Sequence, residues 1–216
     1  IDGQKLSKSR GPQVRPLDLA EVYGADAFRY FLLRDAALDR DAEFSQERIE
    51  ARYQTDLAND LGNLLHRVVS MIGRYCEGRV PEPTEAGARE AALWTYCLEA
   101  VQAALAHVDE LALNQAVATV MEAVGEVNRY LERTAPWRTV KSDPARAATI
   151  LYHAAEALRL LSVLLHPVLP ERTGVLWRSL GWTPSEHLGE AISWGGLRAG
   201  AEVVTGPPLF PREVGL

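Results

Sequence analysis

Two sets of residues in this chain have types and spacing suited to chemistry. The first is Lys5-Leu6-Ser7-Lys8-Ser9-Arg10-Gly11. Two ammonium groups three positions apart, with small hydroxyls between them and a glycine after, make a cationic loop. Lysine and arginine are almost never fully buried without a partner, so the loop belongs at the surface. Cations placed there suit a polyphosphate whose negative charge grows during reaction, because they stabilise the transition state more than the ground state. The second set is dispersed. Asn63 and Arg67 stand one helical turn apart, and with Asn59, Ser70 and Arg74 they form a polar row. An amide and a guanidinium on one helix face can read the hydrogen-bonding edge of an unpaired base. Trp137, after Ala135-Pro136, supplies an indole of the kind on which a splayed-out base stacks.

The elements that must position these groups follow from hydrophobic periodicity. Leu17–Tyr23 reads as a short helix stopped by Gly24, and a second helix carries Ala27, Phe28, Tyr30, Phe31 and Leu32 on its apolar side. Asp39 to Phe44 reads as a short strand or extended crossing, with Ser45 capping the next helix. That helix runs from Ser45 to about Tyr75, its core stripe being Ile49, Tyr53, Leu57, Leu61, Leu64, Val68, Ile72 and Tyr75. Three more bundle helices follow, from about Glu85 to Val108, Leu113 to Arg133, and Pro144 to His166, the last opened by an Asp143-Pro144 cap. The stripe of that last helix is Ile150, Leu151, Ala154, Leu158, Leu161 and Leu165, and a short fifth helix spans Glu171 to Leu180. Short connections make neighbouring helices antiparallel. The first and third bundle helices then point the same way, which lets Trp137 approach Asn63 and Arg67.

The fold class expected is mainly α: a helical bundle preceded by a short α/β connecting segment. The expected division is 1–44 for the lysine loop and connecting segment, 45–180 for the bundle, and 181–216 for an irregular tail. That tail is rich in Gly and Pro, carries Trp182 and Trp194, and is expected to wrap the bundle.

Composition narrows the partners. A length of 216 residues is enough for a full core, and a net charge of −6 argues against a generic nucleic-acid coat while leaving room for a local basic surface. No run is long and apolar enough to span a membrane, and the basic, polar start is unlike a signal peptide. No membrane partner is expected. Cys76 and Cys97 lack metal-ligand spacing and read as small hydrophobes in a reducing cytoplasm. His66, His107, His153 and His166 show no ligand spacing either, and no metal is assigned. The chain opens on Ile1 and reads as part of a longer polypeptide.

Lys5-Leu6-Ser7-Lys8-Ser9 resembles the KMSKS signature loop of class I aminoacyl-tRNA synthetases, with Leu6 at the Met position. Nearly the whole chain resembles the C-terminal part of bacterial methionyl-tRNA synthetases. The resemblance is carried by the run from Tyr23 to Arg34, the run from Asp56 to Leu64, Asn128-Arg129-Tyr130, Ala135-Pro136-Trp137 and Leu209-Phe210-Pro211-Arg212. Pro12 stands where the family usually has Asn, and Arg15 where it has an acid. His187-Leu188-Gly189-Glu190 lacks the second histidine of the family's other signature and lies on the wrong side of the lysine loop. The resemblance implies that Lys5 and Lys8 stabilise the pyrophosphate leaving group of ATP, with Mg, during adenylate formation. It implies that Asn63, Arg67 and Trp137 recognise the CAU anticodon of tRNA(Met), chiefly its first base. It also implies that methionine and ATP bind an upstream catalytic domain, so this stretch alone is expected to be inactive and to bind no cofactor. A non-catalytic tRNA-binding module and a purely structural bundle are the alternatives from the sequence.

Overall fold

A computed structural model describes residues 16–35 and 46–212. The lysine loop, with Lys5 and Lys8, and the expected crossing at 39–44 lie outside the described residues. Two short helices, α1 (Pro16–Tyr23) and α2 (Ala25–Asp35), are separated by Gly24 at φ +87°, a left-handed conformation that glycine adopts without cost. A continuous helical rod follows, made of α3 (Gln46–Arg52), a π-helical stretch (Tyr53–Gly62) and α4 (Asn63–Tyr75). Then come α5 (Ala88–Asp109), α6 (Leu113–Thr134), the single turn α7 (Pro136–Thr139), α8 (Pro144–Leu165), α9 (Pro170–Ser179) and the short α10 (Leu188–Ala191). Among the described residues there is no strand, only one antiparallel bridge between Arg79 and Glu202.

Helix α8 is the centre of the bundle and packs against α4, α5 and α6. Its start is the expected one: Asp143 accepts from the Arg146 N–H at 2.9 Å and Pro144 takes the first helical position. Contrary to the expectation that no run is long and apolar enough to span a membrane, α8 is so by length and composition. Its apolar surface is instead covered by the surrounding helices and tail, which makes it a buried core helix. Burial extends well beyond the expected stripe and takes in Glu156, Arg159 and Ser162. Helix α5 begins later than the periodicity suggests, at Ala88. Gly87 is extended there, and the Glu90 carboxylate turns back to accept its N–H at 2.9 Å.

Glu90 also ties three helices together. It accepts from Tyr130 Oη on α6 at 2.6 Å and from Arg146 Nη2 on α8 at 2.7 Å. Burial alone would raise its carboxyl pKa, but the hydrogen bonds from Tyr130, Arg146 and Gly87 outweigh it and hold the group below the ordinary glutamate value. Asp26 does comparable work at the other end. It accepts from the Arg172 N–H at 2.9 Å, capping α9 from a distant helix, and pairs with Arg29. Both cysteines are free thiols, and burial pushes that of Cys97 up to about 12.

The tail runs back along the bundle. Val80 N–H donates to Ala201 O and Val203 N–H to Gly78 O, at 2.9 and 2.8 Å, joining the α4–α5 connection to the tail. The chain then reaches the π-helical stretch. Tyr53 Oη donates to Pro211 O at 2.9 Å, Gln54 Nε2 to Arg212 O at 2.8 Å, and Arg212 Nη2 to Asn59 Oδ1 at 3.0 Å. The buried Phe210 ring meets Tyr53 edge-on, centroids 6.0 Å apart.

Candidate nucleic-acid interface

The site begins with the widened helix. At its end Asn63 N–H reaches back to Ala58 O, five residues earlier, instead of four. An ideal Cβ on Gly62 would stand 3.0 Å from Leu57 O and 3.6 Å from Phe210 N, so glycine fits this close approach of helix and tail. Asn128 on α6 supports the junction, its Nδ2 donating to Asp60 O at 3.0 Å. Periodicity did not disclose the π stretch, since the apolar steps through Tyr53, Leu57, Leu61 and Leu64 fit an ordinary helix equally well.

Past the junction Asn63 opens α4 with its side chain exposed, and Arg67 lies one turn on, partly covered. The second wall is the corner after α6. Ala135 ends that helix in the left-handed region at φ 43°, unusual for a residue with a Cβ. Thr134 Oγ1 donates to Tyr130 O at 2.7 Å and Thr139 Oγ1 to Thr134 O at 3.0 Å, which fixes the turn. Pro136 is buried beneath it and Trp137 emerges half-buried, with Arg138 exposed beyond.

These walls meet. The Arg67 Cζ lies over the Trp137 ring, 5.5 Å from its centroid. Arg67 Nη2 also pairs with Glu132 Oε1 at 2.5 Å, so the guanidinium is held between a carboxylate and an indole. Glu132 is largely exposed, and such a surface pair orients more than it stabilises. Asn63 shares the helix face of Arg67 but borders a different feature, a hollow closed by the tail residues Pro208, Phe210, Pro211 and Arg212. Glu132 has no local signal of involvement, and Asn128 and Arg212 stand in runs that carry the family resemblance but without any sign of a role at the site. Each reaches the site through the packing of distant segments.

A half-exposed indole with a guanidinium against its face, on the surface of a helical bundle, can hold an unstacked base and hydrogen-bond its edge. Comparison with known proteins gives the class. Residues 1–69 match the family model described as tRNA synthetases class I (M). Residues 80–212, more than half of the chain, match the model for the anticodon binding domain of methionyl tRNA ligase. The chain therefore belongs to the methionyl-tRNA ligase family.

Among its relatives, the methionine–tRNA ligase of Streptomyces coelicolor is 42% identical across 98% of this chain and 41% of its own length. That of Deinococcus radiodurans is 40% identical across 98% of this chain and 31% of its own. The Mycobacterium tuberculosis methionyl-tRNA synthetase bound by methionyl-adenylate superposes with a TM-score of 0.90 at 36% identity, covering 96% of this chain and 42% of that one. The chain thus spans about two fifths or less of the length of these relatives.

Proposed function

We propose that this chain is the anticodon-recognising part of a methionine–tRNA ligase. The whole protein would form methionyl-adenylate from methionine and ATP, with Mg, and transfer the methionine to tRNA(Met). Residues 45–180 grip the CAU anticodon, residues 1–44 link them to the catalytic part, and 181–216 brace the bundle. Trp137 stacks the first anticodon base and Arg67 donates to its edge, while Asn63, one turn away and bordering the tail hollow, contacts the same RNA loop. Lys5 and Lys8 act in the activation step, where positioned cations offset the charge of departing pyrophosphate. The protein works in the cytoplasm, in keeping with its free thiols, and this stretch alone has no ligase activity.

The observation that carries this reading is the approach of Arg67 to the half-exposed Trp137 ring, two residues supplied by separate helices. It is tested by titrating the full-length protein with an anticodon stem-loop bearing CAU and with one changed only at the first base. The changed loop should bind about tenfold or more weakly, since edge reading of one base gives roughly 1–3 kcal/mol of discrimination. Equal affinity for the two loops would remove the basis of the assignment.

A further inference from the structure

Helix α6 meets the rod mainly along the π-helical stretch and only lightly along α4. Yet Arg67, which the corner after α6 must reach, lies on α4. The alignment of Trp137 with Arg67 is therefore set at the wide part of the rod. Such wide turns are rare and recur at functional sites, usually as a single turn. Here the stretch is ten residues long. Two hydrogen bonds cross the seam, one helical turn apart on α6. Asn128 Nδ2 donates to Asp60 O at 3.0 Å, and Arg67 Nη2 donates to Glu132 Oε1 at 2.5 Å. They differ in what they fix. Glu132 is a long, largely exposed side chain that orients a guanidinium without holding the backbone. Asn128 is short, half-buried and bonded to a main-chain carbonyl, so it holds the rod itself against α6. That carbonyl lies just before Asn63, whose N–H ends the wide stretch by reaching Ala58 O. Each residue of an α-helix advances about 100° around the axis. A change of one residue in where the wide stretch ends would turn Arg67 well away from the indole.

We propose that Asn128 is a positioning residue for base reading: by holding Asp60 O it fixes where the π-helical stretch ends, and so places Arg67 against the Trp137 ring. The inference rests on the reading of Arg67 and Trp137 as the pair that holds the first base, and its test separates the two. Asn128→Leu and Asn128→Asp, each alone and combined with Arg67→Ala, are titrated as full-length proteins with the CAU stem-loop and with the loop changed at its first base. Leucine and ionised aspartate keep the bulk of asparagine, and both remove the donor to Asp60 O. Each should bind the CAU loop about three- to tenfold more weakly, the scale of one lost hydrogen bond, and lose a comparable part of its preference for it. In the Arg67→Ala background the same replacements should change affinity by less than about twofold, because the residue through which Asn128 acts is gone. A loss of stability alone would lower the folded fraction in both backgrounds alike. Unchanged affinity and preference in both Asn128 variants, or an equal loss with and without Arg67, would overturn the proposal. If Arg67→Ala weakens binding while the Asn128 variants do not, the positioning role alone is wrong; if Arg67→Ala too has no effect, the reading beneath it fails as well.

Discussion

Arg159→Met should destabilise the chain by about 3–5 kcal/mol, the usual range for removing one member of a buried ion pair. The Arg159 guanidinium is fully buried in α8. It bonds Glu156 through Nε at 2.9 Å and Nη2 at 2.7 Å, and it donates to Ala191 O and Ser193 O, each at 2.6 Å. The Trp182 ring lies 4.8 Å away, centroid to Cζ. Glu156 in turn accepts from the N–H groups of Gly195, Gly196 and Leu197 at 2.6, 2.9 and 2.9 Å. The pair is therefore the post to which the tail is tied. Methionine fills much of the space but leaves a carboxylate without its counter-ion and two carbonyls without their donor. Urea unfolding of the variant should show a correspondingly lower midpoint. Because the damage comes from the orphaned partner, adding Glu156→Leu to Arg159→Met should restore part of the loss. A single-variant loss below about 1 kcal/mol would contradict the role given to the pair.

Phe210→Ala should have the next largest effect, about 3–5 kcal/mol for truncating a buried aromatic ring. The ring is buried beside Gly62, edge-on to Tyr53, with Arg172 Cζ 5.6 Å from its centroid. Its consequence should also be local. Phe210 anchors the tail end that bonds Tyr53, Gln54 and Asn59, so losing it releases the π-helical stretch on one side. Hydrogen exchange of amides 53–62 should then accelerate more than that of α5 or α6. Uniform change across the bundle, or an unchanged unfolding midpoint, would show that the tail does not brace the wide helix.

What the sequence made legible follows the range of the forces involved. Caps and breakers act within a few residues, so the start of α8 could be read closely from Asp143-Pro144. The meeting of Trp137 with the first bundle helix could also be deduced, because short connections make neighbouring helices antiparallel and bring the ends of the first and third together. The π stretch could not be read. Its widening is supported by Asn128 and Phe210, both far away in sequence, while its own residues keep an ordinary helical period. Glu156 and Arg159 were equally hidden, since charges on a helix ordinarily mark the solvated face. Here the tail folds over that face and buries them. Within the candidate site, Arg67 and Trp137 meet, whereas Asn63 faces the tail, which periodicity had no means of placing beside it.

The most direct measurement is a cycle pairing Trp137→Ala with a change at the first anticodon base, read as stem-loop affinity of the full-length protein. Stacking on an aromatic side chain contributes roughly 1–3 kcal/mol per base. The variant should lose about that much affinity for CAU and should also cease to distinguish it from the changed loop. A variant that kept both the affinity and the preference of the unaltered protein would contradict the account.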